Sequence, residues 1–304
     1  MSLEPIGSLL GRAARGKYAI GYFESWNLES LQGVIDAAEE TRSPIIIGFN
    51  GDFLSRPTRK AKERLAWYAA LGKAAAESAS VPCGFIFNEC PRDEWVREAV
   101  VSGGFNLVMP ADPEATPEEW IPRVSELTRF AHSHGIAVEA ELGELPCGAE
   151  GGDPHGGDST DPETAAAFVE ATGIDLLAIS VGNIHIQLQG EFDLDLGLVE
   201  AIQKRVSIPL VLHGGTGISE ASLKAAIALG VAKVNYGTYV KQRYLKAIQE
   251  RLASESLDTD PHHLLGIGGE QDLLVAGRRA VRDAVLERIH WLGCVGKADE
   301  RGDG

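Results

Sequence analysis

Short apolar, β-branched runs alternate with amphipathic stretches from one end of the chain to the other. The runs lie at about 18–24 (YAIGYFE), 44–50 (PIIIGFN), 82–88 (PCGFIFN), 105–109 (FNLVM), 136–142 (IAVEAEL), 175–181 (DLLAISV), 208–213 (IPLVLH) and 232–236 (AKVNY). They predict strands, and their near-continuous apolar character predicts a parallel sheet covered on both faces. Helical periodicity fills the intervals at 28–41, 92–102, 118–134, 162–172, 194–205 and 219–229. In the first of these, Leu28, Leu31, Val34, Ile35 and Ala38 share one face. Thr160-Asp161-Pro162-Glu163 reads as a helix start, and Gly230 stands where a C-terminal cap glycine belongs. Eight strands alternating with helices predict an α/β fold, a (β/α)8 TIM barrel in one domain over 1–304. A doubly wound open sheet is the competing arrangement. A late amphipathic stretch, about 272–293, with Leu273, Leu274, Val281, Val285, Ile289 and Trp291, either covers the barrel or forms an interface.

Two segments break the pattern. Residues 144–160, ELPCGAEGGDPHGGDST, contain five glycines and two prolines and cannot pack a helix face. They read as a mobile loop leaving the carboxyl end of the fifth strand, either an active-site lid or a plain surface loop. Residues 297–304 read as a flexible tail.

Composition narrows the function classes. The chain carries 44 acidic against 28 basic residues, a net charge of −16, which repels phosphate backbones and argues against nucleic acid as a partner. No apolar run approaches the roughly 20 residues that span a bilayer. The first 18 residues hold Arg12, Arg15 and Lys17 without a long apolar core, so neither a signal nor a transit peptide is expected. Cys83, Cys90, Cys147 and Cys294 show no paired spacing, as expected of reduced thiols in the cytoplasm.

In a barrel, catalytic groups sit at the carboxyl ends of the strands. The polar residues at the predicted ends form one set: Glu24, Asn50, Asn88, Glu89, Glu141, His185, His213, Asn235 and Thr238. His185 and His213 follow neighbouring strands, and two imidazoles converging there suit a divalent metal. The other six histidines are peripheral in the pattern. The turn His213-Gly214-Gly215-Thr216-Gly217 joins strand seven to a helix, so its backbone N–H groups can approach an anion. Thr238 could add a hydroxyl to the same anion.

The run from 137 to 239 contains AVEAELGELPCG, TDPETAAAFVEATGIDLLAISVGNIH, SIPLVLHGGTGIS and GVAKVNYGTYV, in that order. It resembles the class II, metal-dependent fructose-bisphosphate aldolase family in its shorter bacterial branch, and YAIGYFESWNLESLQ resembles that family's opening. The resemblance covers nearly the whole chain. It implies a TIM barrel, zinc held by three histidines, an acid/base aspartate beside the first ligand, a small ketose or ketose phosphate as substrate, and a homodimer or homotetramer. Carried over, His185 and His213 match metal ligands and Glu141 a glutamate near the metal. Gly214, Gly215, Thr216 and Thr238 match phosphate contacts, and Asn235 a substrate contact. Glu150 is the counterpart of a loop acid used in proton transfer.

The departures fall in the site. The third-strand motif, close to LDHG in the family, is Phe87-Asn88-Glu89-Cys90 here. Asn88 replaces the catalytic aspartate and cannot exchange a proton as a carboxylate does. Glu89 replaces a ligand histidine and makes a carboxylate–two-histidine set with His185 and His213, suited to zinc and also to manganese or iron. Glu24 stands for an asparagine, Asn50 for a serine, Gly237 for an aspartate or alanine, and Ile186 for a glycine. Glu24, Glu141 and Glu150 are the candidates for moving the proton. The expected function is an aldolase-type lyase acting on a ketose or ketose phosphate. The alternatives are a genuine fructose-1,6-bisphosphate aldolase yielding dihydroxyacetone phosphate and glyceraldehyde 3-phosphate, and a non-catalytic sugar-phosphate-binding barrel.

Overall fold

The computed structural model describes residues 2–112, 114–143, 145, 158–184, 190–256 and 259–300. Eight strands close a barrel in chain order: β1 (Ile20–Ser25), β2 (Ile45–Asn50), β3 (Cys83–Cys90), β4 (Leu107–Pro110), β5 (Ala137–Leu142), β6 (Leu176–Ile179), β7 (Leu210–Leu212) and β8 (Val231–Tyr236). Each is parallel to the next, and β8 returns to β1 with Tyr22 opposite Asn235. The open-sheet alternative is excluded by that closure. The helices are α1 (Ile6–Gly16), α2 (Leu28–Glu40), α3 (Gly51–Ser55), α4 (Leu65–Ser78), α5 (Asp93–Val101), α6 (Pro117–Ser133), α7 (Pro162–Thr172), α8 (Leu196–Gln203), α9 (Glu220–Ala228), α10 (Thr238–Ala253), α11 (Pro261–Leu264) and α12 (Leu273–Leu292). None is long and apolar enough to cross a membrane among the described residues.

Local chemistry explains the boundaries. Asp161 caps α7 by accepting from the Thr164 N–H at 2.8 Å, with Pro162 preset for the first turn and Gly173 closing the helix in the left-handed conformation. In α2 the buried face runs through Leu31, Val34, Ala37 and Ala38, whereas Leu28 is 45% exposed. The expected stripe is therefore rotated, because α2 packs on α12 as well as on the barrel. Gly33 permits that contact: a Cβ there would lie 2.6 Å from the Arg278 carbonyl oxygen. Val281, Val285 and Ile289 of α12 are fully buried, so this helix covers the barrel wall.

The helices expected from the sequence do not include α1, α3, α4, α10 and α11. Helix α1 buries Ile6, Leu9, Leu10 and Ala13 beside the amino end of β3, where the Glu4 N–H donates to the Cys83 carbonyl at 2.9 Å. Ile6, Leu9, Leu10 and Ala13 stand at i, i+3, i+4 and i+7, so this helix is legible in the sequence. Phe85 stacks on Phe105 at 4.2 Å between centroids, and Phe87 lies 5.4 Å from the same ring, filling the space beside β3 and β4.

Candidate active site

The carboxyl ends of the strands carry the expected residues. Glu24 is next to last in β1, Asn50 ends β2, Asn88 and Glu89 lie in the last three residues of β3, Glu141 is next to last in β5, His213 follows β7, Asn235 is next to last in β8 and Thr238 opens α10. His185 and Glu150 lie outside the described residues, as do Ile186 and most of 144–160.

His213 is the centre of the described constellation. Its ring is 2% exposed. One edge of the ring meets Glu139, with Nε2 2.9 Å from Oε1. On the opposite side, Nδ1 lies 3.1 Å from Glu89 Oε1 and 3.0 Å from Glu141 Oε2. Burial alone would lower the pKa of this imidazole; the surrounding carboxylates of Glu139, Glu141 and Glu89 outweigh it and hold the ring well above its ordinary value. Among the described residues, no three His, Cys, Asp or Glu side chains stand as a ready-made cation cage. The Glu89 and Glu141 carboxylates each lie at hydrogen-bonding distance from His213 Nδ1.

Glu89 reaches this point because β3 is irregular. The register with β4 shifts between Phe87 and Cys90, and Glu89 adopts φ +52°, a left-handed conformation uncommon for a side-chain-bearing residue. Asn50 holds the result in place: Nδ2 donates to Glu89 Oε2 at 2.8 Å, while Oδ1 accepts from the Phe53 N–H at 3.0 Å and caps α3. Backbone strain at an element end, sustained by a neighbouring side chain, is characteristic of functional sites.

Beneath His213 lies a buried polar column. The Lys233 ammonium is 2.7 Å from Glu139 Oε2, hydrogen-bonds Oε1 at 3.0 Å and donates to Asn235 Oδ1 at 2.7 Å. Lys233 and Glu139 have no exposed side-chain surface. Burial pushes the Glu139 pKa up, but Lys233 and His213 reverse this and keep it below the usual value; burial draws Lys233 down, with Glu139 opposing. Among the described residues, the buried side-chain atoms without a hydrogen-bond partner include Asn88 Oδ1 and Asn235 Nδ2 near the strand ends, besides Ser25 Oγ and Tyr236 OH. Buried polar groups are normally paired, so an acceptor and a donor left open are suited to a ligand.

The glycine-rich turn after β7 is tightly placed. Gly214 has φ +66°, and a Cβ on Gly215 would come within 2.9 Å of the Asn235 carbonyl oxygen. Thr216 Oγ1 accepts from the Tyr239 N–H at 3.2 Å, which ties the turn to the start of α10 beside Thr238. At the other side of α10, Glu24 forms an ion pair with Lys241, whose ammonium lies 4.3 Å from the Phe53 ring centroid. A Cβ on Gly237 would lie 2.5 Å from Glu24 Oε2, so the glycine leaves room for the longer acid.

Glu139, Lys233 and Lys241 are absent from the residues singled out in the sequence. A signal for the first two exists: each is a charge within an otherwise apolar strand, two residues before Glu141 or Asn235 and therefore on the same barrel-facing side. Lys241 has no such signal, because it lies on a helix that the pattern does not predict.

Comparison with known proteins gives a consistent result. The family described as "Fructose-bisphosphate aldolase class-II" matches residues 4–297. The uncharacterized protein YdjI of Escherichia coli K12 is 36% identical over 94% of this chain and 96% of its own length. The fructose-bisphosphate aldolase of Geobacillus stearothermophilus is 32% identical over 98% of this chain and 99% of its own. The crystal structure of the YdjI aldolase superposes with a TM-score of 0.78 at 34% identity, covering 98% of this chain and 100% of that one.

Proposed function

This chain belongs to the class II fructose-bisphosphate aldolase family, and from that premise we propose that it is a metal-dependent lyase that cleaves or forms a carbon–carbon bond in a ketose or ketose phosphate other than fructose bisphosphate. The observation that carries the reading is the convergence of Glu89 Oε1 and Glu141 Oε2 on His213 Nδ1, with Glu139 behind the ring. The family is divalent-metal dependent, and this donor set fits such an ion. Two carboxylate oxygens and one imidazole nitrogen meet at one point, and the carboxylate on Nε2 is the outer partner that orients a ligating histidine. Glu89 and His213 would hold the ion together with His185; Glu141 adds a donor. Zinc fits that mixture of nitrogen and oxygen, as do manganese and iron.

When bound, the ion supplies a Lewis acid at the ketone oxygen as the carbon–carbon bond breaks. The chain's own residues do the rest. The glycine-rich turn of Gly214, Gly215 and Thr216, with Thr238 at the start of α10, receives the anionic end of the substrate. Asn235 Nδ2 donates to a substrate oxygen, and Asn88 Oδ1 accepts from a substrate hydroxyl. Asn88 holds that hydroxyl without taking its proton, so a carboxylate takes it: Glu141, which reaches the centre and keeps access to solvent, with Glu150 and Glu24 as the other acids proposed from the sequence. Asn50 keeps Glu89 aimed inward.

The name of the Geobacillus relative favours a second reading, a genuine fructose-1,6-bisphosphate aldolase. Asn88 speaks against it, because a positioned acid/base group is typically worth about 10²- to 10⁴-fold in rate. The test is metal content by mass spectrometry of protein purified without chelator, wild type and Glu89→Ala, followed by aldol cleavage of a ketose panel that includes fructose 1,6-bisphosphate. About one divalent ion per chain, lost in Glu89→Ala, with turnover of another ketose, is the expected result. Efficient turnover of fructose 1,6-bisphosphate selects the second reading. A wild type that cannot be loaded with zinc, manganese or iron overturns both and leaves a sugar-phosphate-binding barrel.

A further inference from the structure

We propose that Lys233 is a positioning residue for the metal centre, acting on His213 through Glu139; the inference rests on the metal-dependent reading above. The hydrogen bonds of Lys233 go to Glu139 and Asn235, neither of which is expected to meet an ion. It lies one layer deeper in the barrel, on β8, without exposed side-chain surface. An isolated buried ammonium is costly, and filling a barrel layer requires no charge. A Lys233–Glu139 pair serving packing alone would gain nothing from contact with the site, because replacing such a pair by apolar residues is often neutral or stabilising.

The geometry points to a role in aiming groups. Contacts to both Glu139 oxygens, at 2.7 and 3.0 Å, fix the plane of that carboxylate. With its plane fixed, Oε1 faces His213 Nε2 at 2.9 Å. A carboxylate only accepts, so Nε2 donates to Glu139, and Nδ1, which also meets only carboxylates, donates to Glu89 and Glu141 until it gives up that proton to face an ion. The same ammonium donates to Asn235 Oδ1, which turns the amide so that Nδ2 faces away, with no partner among the described residues. One buried cation thus sets the direction of a metal-facing nitrogen and of a substrate-facing amide. Lys233 and Asn235 can share it because they are two residues apart on one strand and point into the same barrel interior.

The test is a double-mutant cycle read by zinc affinity, with the dissociation constant measured by competition against a chromophoric chelator. The proteins are wild type, Lys233→Met, Glu139→Gln and the Lys233→Met/Glu139→Gln double variant, each checked for a cooperative melt. Each single variant is expected to weaken zinc binding about 10- to 100-fold, the usual effect of removing an outer partner of a metal ligand. The double variant is expected to bind no more weakly than the weaker single variant, because both substitutions break one chain of contacts. Lys233→Met within twofold of wild type, or losses that multiply in the double variant, overturns the proposal. If Lys233→Met alone does not fold, the double variant, which leaves no unpaired buried charge, is compared with Glu139→Gln: equal affinity supports the proposal and a further loss overturns it. A wild type that binds none of zinc, manganese and iron overturns this inference together with the functional reading. A wild type that binds zinc beside an unchanged Lys233→Met overturns this inference alone.

Discussion

The two departures at Glu24 and Gly237 should behave as one change, and Gly237→Ala tests this. The backbone at Gly237 has φ −114° and ψ −63°, which alanine also adopts, so the substitution carries no left-handed strain. Its cost is steric: the new Cβ would lie 2.5 Å from Glu24 Oε2, over an ångström inside ordinary contact. The Glu24 carboxylate is the end of a flexible side chain, but it is 7% exposed and paired with Lys241, so it can move only by giving up that pair or shifting its neighbours. Overpacking of this kind costs about 1–3 kcal/mol. Glu24→Asn shortens the side chain by one methylene and withdraws the offending atom. Urea unfolding of wild type, Gly237→Ala, Glu24→Asn and the double variant should give a coupling of at least about 0.5 kcal/mol, with Gly237→Ala nearly free in the Glu24→Asn background. Additive losses would refute the reasoning, because they would mean that the two positions adapted independently.

Other consequences are equally direct. Asp272 caps α12 and accepts from the N–H groups of Gly266, Gly268 and Leu274 at 2.8–2.9 Å. Burial raises its pKa, but these backbone donors outweigh it and leave the folded-state value lowered. Its contribution to stability is therefore complete above the ordinary aspartate range and is lost as pH falls through the lowered folded value; Asp272→Ala should cost about 0.5–2 kcal/mol at pH 7, and the gap from wild type should close on acidification. Phe85→Ala opens a cavity where the ring is fully buried against Phe105 and should cost about 3–5 kcal/mol by denaturant unfolding. Asn88→Ala removes a buried acceptor that no described residue meets, so its melting temperature should not fall appreciably while aldol cleavage drops about tenfold or more; a large stability loss with unchanged turnover would assign Asn88 to the core instead.

Much of the site is legible in one dimension because strands end where apolar runs end. Glu24, Asn50, Asn88, Glu141 and Asn235 could be placed at the catalytic face from that rule alone, since a barrel gathers the carboxyl ends of all its strands. His213 and its glycines follow from the same rule plus the backbone freedom a tight strand-to-helix turn requires. The exchange of the family's aspartate and histidine for Asn88 and Glu89 is likewise visible only by comparing residue types, and needs no coordinates.

Three-dimensional structure decided what those residues face. That Glu89 points inward depends on its left-handed backbone and on the Asn50 amide from the next strand, a contact across 39 positions that no local periodicity encodes. The column from Lys233 through Glu139 to His213 joins residues 94 and 74 positions apart, and its members look like errors in apolar strands until the closed barrel sets them side by side. The vacancy at Gly237 is explained only by Glu24, which reaches it because β8 pairs back onto β1. Periodicity records the free energy of burying a face, and so specifies strands, helices and their order. Direction and pairing of buried polar groups are set by barrel closure, register and a single strained residue, and those are properties of the assembled structure.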